Sequence, residues 1–333
     1  MPGPYIASKS KQRGSPMRTI TALFVGLGSI GTRHLKNLTN LCADRGWTLQ
    51  ADALRSDLSR PLRDGVAALL HAQYTDLADA PAHYDMVFIT NPTSLHADAL
   101  TRVRGRGGAL FIEKPIFSAD QTGLDLADCL PAGQKAYVAA PMRWCGVMLA
   151  LKDRLPGLHP YCARVICSSY LPDWRPGVDY RTVYSAHKAM GGGVTIDLIH
   201  EWDYLVELFG VPEKLCNFKG TYSDLEIDSD DLSVYIARYP TLLAEVHLDY
   251  FGRGYRRSIE LFCHDGSYLA DFGAGTLTLP DGTVQHYEED VNRRYEREME
   301  YFVDYALTGS GESCNPPALA LNVLKLTLGE NVQ

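Results

Sequence analysis

Hydrophobic and polar positions alternate in a regular way along the first half of the chain. Short apolar runs rich in β-forming residues are separated by segments with helical spacing, such as Leu95 to Val103 and Leu124 to Leu130. The apolar runs lie at Ile20 to Val25, Leu49 to Leu54, Met86 to Thr90, Ala109 to Ile112 and Ala136 to Ala140. Strands that alternate with helices predict βαβ units, so we expect a doubly wound parallel sheet with helices on both faces.

The second half has a different pattern, in which apolar runs follow one another closely. These runs lie at Ala163 to Tyr170, Leu215 to Thr221, Leu232 to Tyr239, Leu242 to Tyr250, Ser258 to Cys263, Leu277 to Leu279 and Val284 to Tyr287. Asp281-Gly282, between the last two runs, is a hairpin signal. The pattern predicts an α+β domain with a largely antiparallel sheet that is open on one face. Predicted helices at Asn292 to Leu307 and Ala318 to Leu328 would flank this sheet or the first domain.

The chain is long enough for two domains with substantial cores, since it has 333 residues of which 46% are hydrophobic. We assign residues 19–140 to the first domain and residues 141–333 to the second. The preceding stretch carries basic residues but lacks the apolar core of a secretory signal. We therefore expect a disordered tail over residues 1–18, within which Met17 is an alternative start of translation.

Charge and composition exclude several classes of protein. A formal net charge of -8, without a basic stripe to offset it, argues against nucleic-acid binding. No run approaches the roughly 18 apolar residues of a membrane span, so we expect a cytoplasmic protein without membrane contact. The eight cysteines are scattered, with no CxxC pair or His-rich segment, so we expect buried free thiols and no metal site.

A glycine-rich turn follows the first apolar run directly, with the sequence GLGSIG at residues 26–31. In a G-x-G-x-x-G turn the first glycine permits the tight turn, the second lets a pyrophosphate approach, and the third lets the helix pack on the strand. The phosphates then lie at the positive N-terminus of the helix. Because a strand precedes and a helix follows, the motif favours a Rossmann dinucleotide site over a turn that only connects two elements. The cofactor contacts would be Gly26, Gly28, Ser29, Ile30 and Gly31.

The residues after the second strand should choose between NAD and NADP. An acidic side chain there binds the ribose 2'-hydroxyl, whereas an arginine suits a 2'-phosphate. This chain has Arg55 and Ser56 at that position, which favours NADP. Two alternatives remain open: Asp57 could turn inward and favour NAD, and Arg55 could simply be solvated.

Three further segments, together with the glycine turn, carry a family resemblance. They are the NPTSLH run from Asn91 to His96, the FIEKP run that ends at Pro115, and the GGGVTIDLIHEWD run of residues 191–203. With these motifs in order, residues 20–330 resemble the Gfo/Idh/MocA family, whose members include glucose-fructose oxidoreductase and inositol dehydrogenase. The resemblance implies that Asn91 and Pro92 approach the nicotinamide. It also implies an open sheet face that pairs with another subunit, and hence a homodimer or homotetramer.

The family's cofactor site extends to Glu113, Lys114 and His96, although His96 could instead cap or pack its helix. Lys114 stands at the carboxyl end of a predicted buried strand, where doubly wound sheets bind ligands, and Pro115 fixes the backbone beyond it. An ammonium group there could hydrogen-bond the reacting hydroxyl or carbonyl of a substrate. The alternative is a surface salt bridge with Glu113. The resemblance implies the first role, so Lys114 is a candidate catalytic residue.

One helix is predicted to begin near Gly193. A turn of about 100° per residue places Asp197, His200, Glu201 and Tyr204 on one side, which would face a cleft. The opposite, apolar side consists of Leu198, Trp202, Leu205 and Phe209. His200 is the natural proton acceptor for an alcohol because its ordinary pKa lies near neutrality, and Asp197 or Glu201 would orient it. The alternative is a core histidine bonded to a backbone carbonyl. The family more often has Asp-x-x-x-His, so the role of Asp197 transfers less directly than that of His200.

A long polar and aromatic segment, from Tyr170 to Ser185, precedes this helix. Its aromatic residues could stack on a sugar ring, and Arg175 and Arg181 could bind a carboxylate or phosphate. The alternative is a loop that holds two subunits together. The resemblance also places Arg143 near the substrate, at the rim of the cleft. The candidate substrate contacts are Arg143, Trp174, Arg175, Arg181, Tyr184, Asp197, His200 and Glu201.

The sequence thus predicts an NAD(P)-dependent oxidoreductase acting on a secondary alcohol or ketone of a sugar, sugar acid or nucleotide sugar. His200 would take the hydroxyl proton, Lys114 would hold the oxygen, and Asp197 would complete the catalytic set. One alternative is a non-catalytic regulator that binds dinucleotide or sugar. Another is an NAD-dependent glycoside hydrolase of the same fold, which would return its cofactor unchanged.

Overall fold

The computed structural model describes residues 18–332. The predicted tail, apart from its last residue, and the alternative start at Met17 lie outside the described residues. Within residues 18–332, no helix is both long and apolar enough to cross a bilayer.

The first sheet has six strands, and every pair of neighbours is parallel. The strands are β1 (Thr19–Val25), β2 (Thr48–Leu54), β3 (Ala72–Tyr74), β4 (Tyr84–Ile89), β5 (Gly107–Ile112) and β6 (Lys135–Val138). Their order is β3-β2-β1-β4-β5-β6, which confirms the predicted doubly wound sheet. The pattern misses β3, because its three residues contain no apolar run. The order reverses between β1 and β4, and such a reversal marks the crevice where sheets of this kind bind ligands.

Eight helices accompany the two sheets of the described chain. They are α1 (Ser29–Asp44), α2 (His96–Arg102), α3 (Leu126–Cys129), α4 (Gly146–Arg154), α5 (Val194–Asp197), α6 (His200–Phe209), α7 (Asn292–Thr308) and α8 (Pro317–Thr327). Helix α7 comes from the C-terminal half but packs on the first sheet, where Phe302 meets Phe88 and Phe111 edge-on. The domain boundary at residue 140 stays a prediction, since α7 returns to the first core.

The second sheet has eight strands and is antiparallel except for one parallel pair, β7 with β10. The strands are β7 (Cys162–Tyr170), β8 (Lys214–Gly220), β9 (Leu232–Arg238), β10 (Leu243–Asp249), β11 (Phe251–Cys263), β12 (Gly266–Asp271), β13 (Thr276–Thr278) and β14 (Val284–His286). Alternate residues such as Ala163 and Val165 are buried, whereas Arg164 between them is exposed. This alternation is typical of a sheet with one covered face, so the predicted largely antiparallel sheet is confirmed.

The prediction of one helix that begins near Gly193 is wrong in one respect. The segment forms two helices, α5 and α6, with a break at Leu198 and Ile199. The first turn is held to the start of β9, since the backbone N–H of Thr195 donates to the Asp230 carboxylate at 2.9 Å. A Cβ atom on Gly193, whose φ is +127°, would lie 2.4 Å from that carboxylate. The close approach to Asp230 fixes α5, and α6 begins as a separate helix after the break.

Candidate active site

Two of the three glycines in the glycine turn have no space for a side chain. Gly26 has a φ of +89°, and a Cβ there would lie 2.8 Å from the Asn91 backbone. A Cβ on Gly31 would lie 2.7 Å from both the Gly26 carbonyl oxygen and the Thr90 hydroxyl. Gly28 faces open space and begins α1 without a side-chain cap. The first backbone N–H groups of α1 therefore have no intrahelical or capping partner, which is the arrangement that binds phosphate.

The end of β4 lies against this turn, but its two polar candidates differ in exposure. The Asn91 side chain donates to the Leu95 carbonyl at 3.3 Å, beside Gly26. His96 is 1% exposed, and its ring nitrogens lie 3.1 Å and 3.0 Å from the carbonyl oxygens of Ile116 and Asn91. Burial lowers the pKa of His96. This placement favours the packing role for His96, and its cofactor contact stays a prediction.

A cavity of about 440 Å³ lies at the end of β2 and is bordered by three arginines, Arg55, Arg60 and Arg63. Arg55 donates to the Gln73 side chain at 2.8 Å and to the Arg60 carbonyl. Asp57 does not turn inward, because its carboxylate accepts the backbone N–H and the hydroxyl of Ser59 at 2.8 Å and 2.7 Å. Those bonds lower the pKa of Asp57. The cavity is therefore bordered by three guanidinium groups and by one carboxylate, that of Asp64.

Lys114 and His200 line one small cavity between the two halves of the chain, with a volume of about 20 Å³. Lys114 follows β5 and His200 begins α6, so separate parts of the fold bring them together. Within residues 18–332, neither the Lys114 amine nor the His200 ring has a hydrogen-bond partner. Both side chains are half-buried. A reacting oxygen in the cleft would supply the partner that each lacks.

The charges around His200 keep its ring neutral. Burial lowers its pKa well below the ordinary value, and the cationic groups of Lys114, Arg257 and Arg294 lower it further. Burial also lowers the pKa of Lys114, against the opposing attraction of Glu113 and Asp197. A neutral imidazole accepts a proton, so this electrostatic setting suits a base.

Asp197 lies near this cavity but bonds to other residues than expected. Its carboxylate accepts the hydroxyls of Tyr184, Ser185 and Tyr250, each at 2.6 Å. The expected orienting bond to His200 is not among the contacts of residues 18–332. Burial and Asp197 raise the pKa of both phenols, which keeps them protonated. Sequence reasoning missed Tyr250, whose only signal is its place at the end of a strand-like run.

Glu201 and Tyr204 do not face the cleft, contrary to the single-helix prediction. Both are fully buried, and they lie on α6, beyond the break that separates it from α5. The Glu201 carboxylate accepts two bonds from the Arg257 guanidinium, at 2.6 Å and 3.1 Å. Burial opposes the charge on Arg257, but Glu201 outweighs it and raises the pKa of Arg257. Arg257 on β11 carries no sequence signal that distinguishes it from its arginine neighbours.

Arg143 is 3% exposed, and its guanidinium is fully engaged by the protein. It donates to Asp203 at 3.0 Å and 2.8 Å, to Glu207 at 2.7 Å and to Asn315 at 3.1 Å. Burial raises the pKa of Asp203, and the attraction of Arg143 opposes that rise. Arg143 therefore joins the turn after β6 to α6 and to the start of α8. Its partners Asp203 and Asn315 line the cavity of Lys114 and His200, whereas Arg143 itself does not.

The segment before α5 folds into consecutive 3-10 turns whose side chains contact one another. The Trp174 indole donates to Ser169 at 3.0 Å and meets the Tyr250 ring edge-on, with centroids 5.2 Å apart. The Arg175 guanidinium lies 5.8 Å from the Tyr184 ring centroid. The exposed Arg181 guanidinium pairs with Asp179 at 2.9 Å and with Glu226 at 2.8 Å. These contacts favour a structural role for Arg181.

Comparison with known families identifies the first part of this chain. Residues 20–138 match the family model described as "Oxidoreductase family, NAD-binding Rossmann fold", the model of the Gfo/Idh/MocA family. The resemblance inferred from the motifs is confirmed. A comparison with curated protein sequences gave no significant match.

Solved structures share the fold over nearly the whole chain, at low sequence identity. An oxidoreductase from Agrobacterium radiobacter in complex with NAD+, L-tartaric acid and magnesium is 17% identical and has a TM-score of 0.75. The match covers 93% of this chain and 95% of that chain. Levoglucosan dehydrogenase in complex with NADH and levoglucosan is 14% identical, with a TM-score of 0.78 and coverages of 94% and 96%. A UDP-N-acetylglucosamine 3-dehydrogenase from Acidithiobacillus ferrooxidans is 17% identical, with a TM-score of 0.68 and coverages of 94% and 96%.

Proposed function

We propose that this chain, whose residues 20–138 match an NAD-binding oxidoreductase family, transfers hydride between a nicotinamide and a secondary alcohol or ketone of a sugar-type substrate. The observation that carries the proposal is the shared cavity of Lys114 and His200, two polar groups without partners among the described residues. The printed activities of two neighbours, levoglucosan dehydrogenase and a UDP-sugar dehydrogenase, support a sugar, sugar acid or nucleotide sugar.

The residues at the glycine turn fit a dinucleotide. Gly26 and Gly31 have no room for a side chain, and α1 begins with uncapped N–H groups that would hold the pyrophosphate. Asn91, which lies against Gly26, would border the nicotinamide end. A bound nicotinamide supplies the hydride acceptor or donor, and the protein aligns it with the reacting carbon.

The proton chemistry falls to the two residues of the cavity. His200, held neutral by burial and by nearby cations, accepts the hydroxyl proton during oxidation. Lys114 donates a hydrogen bond to the same oxygen and stabilises the negative charge that develops on it. Asp197 accepts hydrogen bonds from Tyr184 and Tyr250 and so fixes these two rings, rather than orienting His200. In reduction the same groups act in reverse.

We further propose that NADP is preferred over NAD. Arg55 and its neighbours Arg60 and Arg63 border the cavity at the end of β2, where the ribose of a dinucleotide lies in this fold. Ser56 is exposed beside them, whereas Asp57 is held by Ser59. Guanidinium groups recognise phosphate by paired, charge-assisted hydrogen bonds.

We also propose a homodimer or homotetramer that forms through the outward face of the second sheet. That face exposes large apolar side chains, among them Phe218 at 70% and Ile236 at 43%. Exposed apolar surface of this kind is typical of interaction sites. Light scattering would measure the mass, and Phe218→Glu should shift it toward the monomer if the proposal is correct.

The central experiment is a screen of sugars, sugar acids and nucleotide sugars for a change in reduced-nicotinamide absorbance with NAD and NADP. Net reduction of free cofactor would support the proposal. Substrate cleavage without net cofactor change would instead indicate a glycoside hydrolase. Cofactor binding without turnover of any class would indicate a regulator.

A further inference from the structure

Glu113 is predicted to contact the cofactor, yet its carboxylate faces the protein interior and is 8% exposed. One oxygen, Oε1, lies 2.5 Å from Nε2 of His34. The other, Oε2, accepts the backbone N–H of Lys114 at 3.2 Å. Both oxygens are thus occupied by the protein, and one of them holds the peptide from which the Lys114 side chain leaves.

His34 connects this carboxylate to the glycine turn. It lies on α1, the helix that begins at that turn, and is completely buried. Its ring packs on Phe111 of β5, with centroids 4.7 Å apart. A chain of direct contacts therefore runs from the helix that would hold the pyrophosphate, through His34 and Glu113, to the backbone of Lys114.

Among the charged groups around Lys114, Glu113 has the largest effect in favour of the ammonium form. Burial raises the pKa of Glu113, but the hydrogen bond and attraction of His34 outweigh burial and leave it below its ordinary value. Glu113 is therefore an anion at neutral pH. The groups that face the Lys114 amine are Glu113, Asp197, Glu201 and Asp203, which favour the ammonium form, and Arg257 and His200, of which Arg257 opposes it.

A buried carboxylate that bonds to a histidine is poor support for a role in stability, since apolar residues of similar volume often stabilise a fold as well or better. The placement of this pair between two functional parts suggests another use. We propose that Glu113, held by His34, is a positioning residue that fixes the backbone of Lys114 and keeps its amine charged in the cleft. The proposal rests on the proposed function, in which Lys114 binds the reacting oxygen as an ammonium group.

The test compares Glu113→Gln with Asp85→Asn in the full chain. Glu113→Gln keeps the shape of the side chain and removes its charge. Asp85→Asn is the matched control, because it removes a carboxylate from the opposite end of β4, where Asp85 binds Thr21. Competitive labelling with acetic anhydride at a series of pH values, read by mass spectrometry, reports the fraction of unprotonated Lys114 without any substrate.

Loss of a nearby opposite charge lowers the pKa of an amine by about one unit or more. The labelling midpoint of Lys114 should therefore fall by about one unit in Glu113→Gln and stay unchanged in Asp85→Asn. The alkaline limb of the kcat profile should shift in the same direction, with the Kd for NADPH within about threefold of the parent, a difference below 1 kcal/mol. A midpoint that stays fixed, or that moves equally in both variants, would overturn the proposal. So would a tenfold loss of cofactor affinity with a fixed midpoint, because Glu113 would then be a cofactor contact.

A second pair of variants keeps the test informative if Glu113→Gln does not fold. His34→Leu removes the donor to Glu113, whereas His34→Gln retains a side-chain amide that can donate. We expect kcat to fall in His34→Leu and to recover in His34→Gln, with the same ordering of the Lys114 midpoint. Equal midpoints in the two would overturn the proposal. If the parent protein turns over no substrate, the proposed function fails, but the labelling midpoint still decides whether Glu113 controls Lys114.

Discussion

Two sets of polar side chains border the junction between the two sheets, and they differ in what they are bonded to. Lys114 and His200 line a common cavity, and the described part of the chain offers neither side chain a hydrogen-bond partner. Arg143 and Glu201, which lie nearby, are buried in ion pairs that use their whole charged groups. From sequence alone, all four are candidates for the same site.

The difference indicates which groups are available to bind a ligand and which groups stabilise the fold. Lys114 and His200 are half-buried, so a ligand that enters the cleft can supply the hydrogen-bond partner that each lacks. A fully paired buried charge has no bonding capacity left for a substrate. We therefore propose that Lys114 and His200 carry the chemistry, and that Arg143 and Glu201 join elements of the fold.

The largest effect that this comparison predicts is on Lys114. Lys114→Ala should lower kcat by about 10³-fold or more, because the charge that develops on the reacting oxygen loses its donor. The Kd for NADPH, measured by fluorescence, should stay nearly constant. Lys219→Ala, which removes an exposed lysine of β8, is the control and should leave kcat unchanged. Equal kcat in both variants would remove Lys114 from the mechanism.

Arg143→Leu should mainly affect stability. The substitution leaves Asp203 buried without its cation, whereas Glu207 keeps Lys152, so the free energy of unfolding should fall by about 3 kcal/mol in urea titration. The double variant Arg143→Leu with Asp203→Leu should lose less, since it leaves one fewer unpaired charge. A stable Arg143→Leu protein with a raised KM would contradict the comparison and restore Arg143 to the substrate site.

His200→Asn should lower kcat for alcohol oxidation by about 10²-fold, the lower part of the range for general bases. The sign of the pH dependence follows from its pKa, which lies well below the ordinary value. His200 stays neutral as the pH falls through 6.5, so the parent enzyme should keep its activity there and lose it only below the lowered pKa. An acid limb at the ordinary histidine pKa would contradict the assigned environment.

Arg55→Ala tests whether this arginine selects NADP over NAD in the proposed cofactor site. Loss of one guanidinium contact to a 2'-phosphate should raise the Kd for NADP by about tenfold, or about 1.4 kcal/mol, and leave that for NAD almost unchanged. Asp57→Ala should change neither affinity, because Asp57 is held by Ser59. Unchanged selectivity in Arg55→Ala would refute the preference for NADP.

The smallest effect is expected at Arg181, whose ion pairs with Asp179 and Glu226 are exposed to solvent. Exposed pairs contribute little to stability, so Arg181→Ala should leave the urea midpoint and kcat/KM nearly unchanged. Neutral and anionic sugars should be affected alike. A selective loss with anionic sugars would show that this arginine leaves its pairs to bind substrate, and the division between paired and unpaired groups would then fail.

Much of the fold could be predicted from local patterns. Five of the six strands of the first sheet coincide with apolar runs, because a strand covered on both faces must be apolar throughout. The glycine turn could be placed for a similar reason, since Gly26 and Gly31 are required by backbone contacts within the motif and its neighbouring strand. The missed strand, β3, gains its place from β2 rather than from its own residues.

The candidate site was harder to predict, because bonding partners come from distant parts of the chain. Asp197 binds Tyr184 and Tyr250, and Glu201 binds Arg257, which lies 56 positions away. Helical spacing groups Asp197 with Glu201, but the two residues lie on α5 and α6, which are separated by a break. No spacing rule gives the position of such a break, since α5 is held by Asp230, which lies 35 positions after Thr195.

The local pattern of the chain was enough to predict the two kinds of sheet, the glycine turn and a lysine at the end of a strand. These features depend on residue type and on neighbours only a few positions away. The tertiary structure alone decided which charged groups are paired, that Glu113 binds His34 rather than facing the cleft, and that Lys114 and His200 share a cavity. Pairing and burial are set by the packing of elements far apart in the chain, and they determine which of several similar side chains is free to react.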